Sequence, residues 1–267
     1  MEFIKVAVLG IIQGITEWLP ISSTGHLILA DEFIHLSGSD EFKYLFNVVV
    51  QLGSILAVVV LYWSTLNPFK RDRKERNTCL TLWAKVLVAS IPAGIVGILL
   101  DDIVDEKLST WYVIAAALFI YGVLYIIIEK KIKIKVRIED TASVTYMDAL
   151  KLGVFQMLAL IPGTSRSGST ILGGMLLGFV RTVAAKFSFF MAIPVMAGAS
   201  LLRLLKSGFA LTGEEWMLLL VGTVVSFLVS LVVIKKLVDF VRSHDFSGFG
   251  VYRIVLSILI VIYFVAF

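Results

Sequence analysis

The chain has 267 residues, of which 58% are hydrophobic and only 16% are charged, and its mean hydropathy is +0.93. Soluble domains carry about 25% charged residues, so this composition excludes a soluble protein and predicts an integral membrane protein. The formal net charge of +4 does not indicate nucleic-acid binding, because the basic residues lie in loops that flank apolar segments, where membrane topology explains them.

The predicted elements form two similar series along the chain. A broken apolar region at 2–30 precedes apolar segments at about 44–63, 82–100 and 111–128, and a second broken region at 148–180 precedes segments at about 184–205, 216–234 and 251–267. Each of the six uninterrupted segments is close to the roughly 20 residues needed to cross a bilayer. Pro, Ser and Gly residues interrupt the other two regions, so each is predicted to form two short helices joined by a broken turn.

This order predicts an all-α polytopic membrane protein with an inverted-topology repeat. The single membrane domain, residues 1–267, divides into a first repeat at 1–130 and a second at 148–267. An odd number of spans separates the broken regions, so two hairpins that each return to their own side enter from opposite faces. We therefore expect six transmembrane helices and two re-entrant helix hairpins whose tips meet near the midplane, buried in protein or lining a wet cavity. The alternative is that each broken region is one kinked span, which gives eight spans.

Loop charges predict the orientation in the membrane. The basic loops carry Lys70, Arg71, Arg73, Lys74 and Arg76, then Lys130, Lys131, Lys133, Lys135 and Arg137, then Lys235, Lys236 and Arg242. The loops between them are acidic, with Asp31, Glu32, Asp40, Glu41, Asp101, Asp102, Asp105, Glu106, Glu214 and Glu215, and hold the single basic residues Lys43, Lys107 and Lys206. Because basic loops stay in the cytoplasm, both termini are predicted to lie outside. The first hairpin then enters from outside and the second from the cytoplasm.

A polar motif at each break carries the candidate chemistry. Residues 13–26 read QGITEWLPISSTGH and residues 156–170 read QMLALIPGTSRSGST. In each copy a Gln is followed by an apolar stretch, a Pro and a run of hydroxyls and Gly. Pairing the prolines of the two copies aligns Ser23 with Ser165. Ionisable groups at membrane depth are costly, so those inside the motifs are functional candidates.

The first motif combines a carboxylate, hydroxyls and an imidazole. Gln13 and Glu17 share one helix face, where they could bind a hard cation or orient a water, and Glu17 could act as a general base. The alternative is a hydrogen-bonded polar pair. Three hydroxyls follow, which either cap a helix start or include a nucleophile: Ser22, Ser23 and Thr24. His26 is predicted to act on the same substrate as a base, an acid or a phosphate-binding cation.

The second motif is suited to an anion. Arg166 lies between two serines and would give planar, bidentate recognition of a phosphate. The neighbouring glycines let backbone N–H groups approach a ligand, and a helix start favours negative charge. The candidate binding residues of this motif are Gly163, Ser165, Ser167 and Thr170. The alternative is a structural ion pair between Arg166 and Glu17 across the repeat interface.

Together, the motifs predict phosphoryl transfer on a lipid-borne phosphate. Positioning and charge stabilisation do most of the work in that reaction, and the halves offer a phosphate clamp facing a carboxylate, hydroxyls and a histidine. A soluble phosphoester would not need an intramembrane site. The rival function is a transporter or flippase of a lipid phosphate, because secondary transporters have inverted repeats and broken helices. The surplus of reactive side chains favours the enzyme.

Both motifs resemble the signatures of the bacterial undecaprenyl pyrophosphate phosphatases of the BacA type. The stretch 51–59 also matches, and the resemblance covers essentially the whole chain in length, span order and motif placement. It implies hydrolysis of undecaprenyl pyrophosphate to undecaprenyl phosphate and phosphate, which recycles the lipid carrier for cell-wall synthesis and bears on bacitracin sensitivity. It also implies a bacterial cytoplasmic (inner) membrane protein, a site open to the extracytoplasmic side and a divalent cation (Mg²⁺ or Ca²⁺).

The resemblance also implies site residues. Glu17 and His26 match catalytic positions, Arg166 matches the diphosphate-binding arginine and Ser23 matches a proposed nucleophile. The phosphate-contacting hydroxyls would be those of Ser165, Ser167 and Thr170. Gln13 stands where many members have Glu, and an amide cannot act as a base. The base would then be Glu17 or His26, and a cation held by Gln13 and Glu17 should bind more weakly than at two carboxylates.

Small residues leave the oligomeric state open. Five glycines at apolar positions can support close helix packing within one chain or between two: Gly94, Gly97, Gly173, Gly174 and Gly178. A homodimer is therefore one expected arrangement. The other expected partners are the polyprenyl diphosphate lipid and the bilayer.

Overall fold

The structure, a computed structural model, describes residues 1–207 and 211–266. Phe267, at the end of the sixth predicted span, lies outside the described residues. So do several side chains used in the loop-charge prediction, those of Asp40, Asp101, Asp102, Asp105 and Lys206. The eleven α-helices of the described part are α1 Glu2–Thr16, α2 Ser23–Asp31, α3 Asp40–Leu61, α4 Trp63–Leu66, α5 Arg73–Ile103, α6 Trp111–Lys131, α7 Tyr146–Met157, α8 Arg166–Leu176, α9 Arg181–Ser207, α10 Gly213–Ser243 and α11 Ser247–Ala266.

Six of these helices are long and apolar enough to cross a membrane, which confirms the six predicted segments. They are α3, α5, α6, α9, α10 and α11. Some helices extend beyond the apolar stretch that predicted them. In α10, Thr212 and Glu215 form a capping box, with the Glu215 amide donating to the Thr212 hydroxyl at 3.2 Å and the Thr212 amide donating to the Glu215 carboxylate at 2.8 Å. The apolar run predicts only the membrane-length part of a helix, whereas caps decide where the helix begins.

Each interrupted region forms two short helices, as predicted. In the first, α1 ends at Thr16 and α2 begins at Ser23, and in the second, α7 ends at Met157 and α8 begins at Arg166. A bilayer needs roughly 20 helical residues, so each of these four helices is too short to span alone.

The two ends of each interrupted region lie together. In the first, Lys5 Nζ donates to the carbonyl of His35 at 2.7 Å, joining the start of α1 to the chain just after α2. In the second, the Arg137 amide donates to the Gly178 carbonyl at 2.8 Å, and the Val180 amide donates to the Ile138 carbonyl at 2.9 Å. In each region, the chain near the start of the first short helix and the chain after the second are therefore in contact.

Glycines allow the short helices to approach the long helices of the other half of the chain. On α1, a Cβ at Gly10 would lie 2.6 Å from the Gly222 carbonyl oxygen of α10. On α7, a Cβ at Gly153 would lie 2.4 Å from the Ala89 carbonyl oxygen of α5. The long helices α3 and α9 pack on the same two partners, α10 and α5, and α6 packs on α11. The two breaks are thus held in the centre of the molecule by helices from both halves.

Three serines that the sequence analysis did not single out meet beside the first break. Ser54 of α3 shares a hydrogen bond of 2.7 Å with Ser226 of α10, and Ser230 donates to Ser54 at 3.1 Å and to the Gly14 carbonyl at 3.3 Å. All three serine side chains are buried. They join α1, α3 and α10 because buried hydroxyls in a bundle must find partners on neighbouring helices.

Candidate active site

The residue that caps the second short helix has the same backbone conformation in both breaks. Ser22 and Ser165 have positive φ values of 72° and 74°, and each serine hydroxyl caps the helix that follows. Ser22 Oγ accepts from the Gly25 amide at 3.3 Å, and Ser165 Oγ accepts from the Gly168 amide at 3.1 Å. Non-glycine residues with positive φ are uncommon and strained, so the match is specific.

This match corrects the predicted alignment of the motifs by one residue. Ser22, rather than Ser23, is the structural counterpart of Ser165, and Ser23 corresponds to Arg166. The same register pairs Gln13 with Gln156. The sequence alignment was wrong because it paired the prolines, although the caps and not the prolines set the geometry of each helix start.

Glu17 lies at the centre of the site, in the gap between α1 and α2. Its carboxylate accepts from Gln13 Nε2 at 3.0 Å, from Ser23 Oγ at 3.4 Å and from Arg166 Nη2 at 3.1 Å. The pairing with Gln13 confirms the predicted shared helix face. The contact with Arg166 also shows the ion pair across the two motifs that the sequence analysis offered as an alternative. Glu17 therefore joins a hydroxyl, an amide and a cation in one buried cluster.

Arg166 is positioned by groups from three parts of the chain. Its Nη1 donates to the Ser188 carbonyl at 2.8 Å and to the Ser188 hydroxyl at 3.3 Å, on α9. Its guanidinium also lies over the Trp18 ring at 5.6 Å from the ring centroid, and Trp18 packs edge-on against Phe189. Arg166 Nε is buried without a hydrogen-bond partner. A buried guanidinium with an unused donor is suited to accept an anion.

A cavity of ≈ 200 Å³, called the chamber from here on, lies beside this cluster. Its polar wall consists of Glu17, Ser23, Thr24, Gln51, Gln156, Gly163, Ser165 and Arg166, and its apolar wall includes Ala93, Val195 and Met196. A second cavity of ≈ 630 Å³ shares Ser23, Thr24 and Gln51 with it. The second cavity is lined further out by Asp31, Lys43 and Ser109, at the end of the molecule where the acidic loops lie. The two cavities therefore adjoin at these three residues, and the second extends towards that end.

The structure turns several predicted binding hydroxyls away from the chamber. Ser167 Oγ donates to the carbonyls of Glu17 at 3.1 Å and Leu19 at 3.3 Å, so it joins the two motifs. Thr170 Oγ1 lies 2.6 Å from Ser188 Oγ and is fully buried. The Ser22 hydroxyl is occupied as a cap. Ser165, Thr24 and Gly163 do line the chamber.

The structure does not bring His26 to the chamber. Its Nδ1 lies 2.7 Å from the Ser22 carbonyl oxygen and its Nε2 lies 2.6 Å from Tyr252 Oη on α11. Because a carbonyl only accepts, Nδ1 carries the proton, and a neutral ring then accepts from the tyrosine through Nε2. The expectation that His26 reaches the same atom as Ser23 is not met in this geometry. Their spacing along α2 brings Ser23 and His26 near each other, but the contact with Tyr252 of α11 decides where the imidazole ring points.

A further arginine at the site was missed. Arg253 of α11 is fully buried, and its guanidinium donates to the carbonyls of Pro20 at 3.2 Å, Gly163 at 2.9 Å and Thr164 at 3.0 Å. The sequence held a signal for it, since a lone Arg within an apolar span is a functional candidate by default.

The donor set fits a divalent cation only with help from a substrate. Gln13 Oε1 is buried without a partner beside the Glu17 carboxylate and the Ser23 hydroxyl. Among the described residues, no group of three or more His, Cys, Asp or Glu side chains is placed to hold a metal ion. Mg²⁺ in phosphoryl-transfer sites commonly uses one or two carboxylates plus substrate phosphates, and this arrangement provides one carboxylate.

Comparison with known proteins agrees along nearly the whole chain. The family described as "Bacitracin resistance protein BacA" matches residues 6–259. Undecaprenyl-diphosphatase 1 of Clostridioides difficile is 54% identical over 266 residues, which cover 99% of this chain and 97% of that protein. Undecaprenyl-diphosphatase of Desulfitobacterium hafniense is 52% identical over 270 residues, covering 100% and 97%. That of Enterococcus faecalis is 51% identical over 267 residues, covering 98% and 97%. A match of this extent shows that the chain belongs to the BacA family.

Proposed function

We propose that this protein is a membrane phosphatase that hydrolyses undecaprenyl pyrophosphate to undecaprenyl phosphate and inorganic phosphate. The observation that carries the proposal is the convergence of Glu17, Ser23 and Arg166 on one chamber from two separate breaks in the helices. Relatives about half identical over their full length carry the name undecaprenyl-diphosphatase, which supports the same substrate. The reaction recycles the lipid carrier for cell-wall synthesis and underlies bacitracin resistance.

Arg166 binds the diphosphate in this mechanism. Its Nε has no hydrogen-bond partner, and Arg166, the residue that begins α8, lines the chamber together with Ser165 and Gly163. A bound phosphate competes with Glu17 for the guanidinium, which frees one carboxylate oxygen for proton transfer. The guanidinium and the start of α8 then stabilise the charge that develops on the terminal phosphate.

Ser23 or a water is the nucleophile, and Glu17 accepts its proton. The Ser23 hydroxyl already lies 3.4 Å from Glu17 Oε2, which is long for a hydrogen bond but shortens as a substrate closes the site. Attack on the terminal phosphorus breaks the phosphoanhydride bond, and undecaprenyl phosphate leaves. With Ser23 as nucleophile, water then cleaves the phosphoserine and releases inorganic phosphate. His26 holds the first turn of α2 against α11, and its predicted catalytic role remains a prediction.

Glu17, Gln13 and Ser23 are the residues that would hold a divalent cation (Mg²⁺ or Ca²⁺). The cation would neutralise phosphate oxygens and lower the barrier to attack by an anionic nucleophile. The orphaned Gln13 oxygen supports this placement, and the single carboxylate makes cation binding dependent on the substrate phosphates.

We further propose that the fold is an inverted-topology repeat with two re-entrant hairpins. Four observations support it. The two ends of each hairpin contact each other, and each break has an N-cap serine with a strained positive φ. The helix pair α1–α10 corresponds to α7–α5, and the pair α3–α10 corresponds to α9–α5. The repeats are residues 1–130 and 148–267. These contacts favour six spans with hairpins over eight spans.

The proposed location is the bacterial cytoplasmic (inner) membrane, with both termini and the mouth of the chamber on the extracytoplasmic side. The basic loops at the other end of the molecule support this orientation. A homodimer remains a proposal. Of the five candidate glycines, four pack within the chain: Gly97 against Leu160, Gly173 against Phe155, Gly174 against Ala184 and Gly178 against Arg137.

The direct test is phosphate release by purified protein in detergent with a polyprenyl diphosphate. Arg166→Ala and Glu17→Gln should each lower kcat by at least about 10²-fold, because each removes a charge from the reacting centre. Ser23→Ala separates the two nucleophiles: a loss of similar size supports serine, whereas near-normal turnover assigns the attack to water. Ser90→Ala is the matched control, since that hydroxyl only donates to the Val86 carbonyl of its own helix. Folded wild-type protein that releases no phosphate would refute the enzyme and direct the search to lipid transport in liposomes.

A further inference from the structure

The two broken turns have carbonyl groups that ordinary helix hydrogen bonds cannot satisfy. Residues 17–22 and 161–165 are not α-helical, and Pro20, Gly163 and Thr164 within them are buried. Unsatisfied backbone groups at membrane depth cost several kcal/mol each. The partners of these carbonyls therefore decide whether the turns keep their shape.

Arg253 donates to carbonyls of both turns at once, beside the bonds from Ser167 to the Glu17 and Leu19 carbonyls. Its Nη1 donates to the Pro20 carbonyl of the first turn at 3.2 Å. Its Nη2 donates to the Gly163 and Thr164 carbonyls of the second turn at 2.9 Å and 3.0 Å. When the two N-cap serines, Ser22 and Ser165, are aligned, Pro20 and Gly163 are equivalent positions. One guanidinium thus binds the same carbonyl of each motif.

The hydrogen bonds of this cation go to backbone carbonyls of the two turns, and its Nε is buried without a hydrogen-bond partner. Arg253 is fully buried, and no carboxylate pairs with it in the part of the chain that the structure describes. Its guanidinium lies over the Tyr121 ring at 5.7 Å from the centroid. An apolar side chain would fill the same space without the cost of burying a charge. The three carbonyl dipoles and the ring compensate that charge, and the planar fork reaches two turns where an ammonium would reach one.

Neighbouring groups complete the same joint. Tyr125 Oη donates to the Gly168 carbonyl at 2.9 Å, just inside α8. A Cβ at Gly163, which has φ +90°, would lie 2.6 Å from the Ile114 carbonyl oxygen of α6, so the second turn is pressed against that helix. The helix pair α6–α11 therefore forms a rigid support behind both turns.

We propose that Arg253 is a positioning residue that clamps the two broken turns at equivalent carbonyl groups and so sets the spacing of Glu17, Ser23 and Arg166. Glu17 and Ser23 flank the first turn, and Arg166 follows the second, so any change in the distance between the turns changes the distance between these side chains. The effect on catalysis rests on the proposed function, whereas the clamp itself does not.

The test combines hydrogen exchange with kinetics on the full chain in detergent. Arg253→Met removes the fork but keeps an unbranched apolar side chain, and Arg253→Lys keeps the charge as a single ammonium. Arg181→Met is the matched control, because it breaks a partly buried ion pair with Glu129 at 2.6 Å, away from the turns. Amide exchange is followed by mass spectrometry in segments 17–25 and 161–168.

In Arg253→Met, amide exchange should rise by at least about tenfold in both segments together, with little change in α10. Both turns lose hydrogen bonds from the same guanidinium, so both should open locally more often. The kcat should fall by about 10²-fold while KM changes by less than about threefold, since misplacement by about 1 Å acts on the transition state more than on lipid binding. Arg253→Lys should restore part of both quantities. Arg181→Met should leave the two segments protected.

Three outcomes would overturn the clamp: no rise in either segment, a rise confined to one segment, or a rise spread evenly over all helices. Unchanged kcat in folded Arg253→Met, with exchange raised in both segments, would overturn its positioning of Glu17, Ser23 and Arg166. If Arg253→Met fails to fold, Arg253→Lys alone decides, through the joint rise in both segments. A wild-type protein without phosphatase activity would refute the proposed function and leave the exchange result as the test of the clamp.

Discussion

Substitutions at the ion pair between Glu17 and Arg166 can distinguish a structural role of the pair from a catalytic one. Its nitrogen and oxygen are 3.1 Å apart, and the two side chains are 6% and 11% exposed. Removing one partner of such a pair leaves a buried charge, which costs about 3–5 kcal/mol, whereas replacing both by neutral groups of similar size costs little. The two changes to combine are Glu17→Gln and Arg166→Gln.

The structure refines the size of each effect. A Gln at position 17 keeps an oxygen that can accept from Arg166, which also retains its contacts with Ser188, so Glu17→Gln should cost about 3 kcal/mol. In Arg166→Gln the carboxylate keeps Gln13 and Ser23 as donors, and a similar loss follows. At about 2–4 °C per kcal/mol, each single change should lower Tm by about 6–12 °C. The double variant should return to within about 1 kcal/mol of wild type.

The assay is a double-mutant cycle on thermal unfolding in detergent, with phosphate release measured on the same samples. The exposed pair Lys130 and Asp245, with side chains 58% and 31% exposed, serves as control and should show coupling below about 1 kcal/mol. Additive losses in the Glu17 and Arg166 cycle would contradict the buried pair. A double variant that is stable and still releases phosphate would show that the pair is only structural and that the site lies elsewhere.

Three other predictions follow from the same geometry. Gly53→Ala would place a Cβ 2.1 Å from the Thr223 carbonyl oxygen and should destabilise the protein by about 3 kcal/mol or more. Gly94→Ala is the control and should be tolerated, because no atom lies within 4 Å of the added Cβ. The two variants are compared by their Tm and their yield. Burial raises the pKa of Asp148, but hydrogen bonds from Arg137 and the neighbouring cap outweigh it and lower that pKa to about 2. The resulting stability, roughly 2 kcal/mol, is present above the unfolded pKa near 4 and lost as the pH falls towards 2, so acid unfolding of Asp148→Asn should depend less on pH over this window. Chelation of divalent cations should abolish phosphate release without lowering Tm, because a single carboxylate holds no tight site without substrate; a large drop in Tm would indicate a resident structural metal instead.

The sequence alone determined the elements that depend on local patterns. Apolar length is a property of each segment, so six spanning helices could be predicted with useful bounds. Pro, Gly and capping serines act on their own backbone, so both breaks were predicted where they occur. The Gln13 and Glu17 contact follows from helix periodicity alone.

Only the tertiary structure decided which side chains share the site. His26 lies in the first motif, but Tyr252 draws its ring away from the chamber. Arg253 lies far along the chain from both motifs, and it joins them because α11 packs on α6 behind the two turns. The pairing of Ser22 with Ser165 became visible only in their shared backbone strain. These features depend on contacts between residues that are distant in sequence, and such contacts are set by the packing of whole helices rather than by any local pattern.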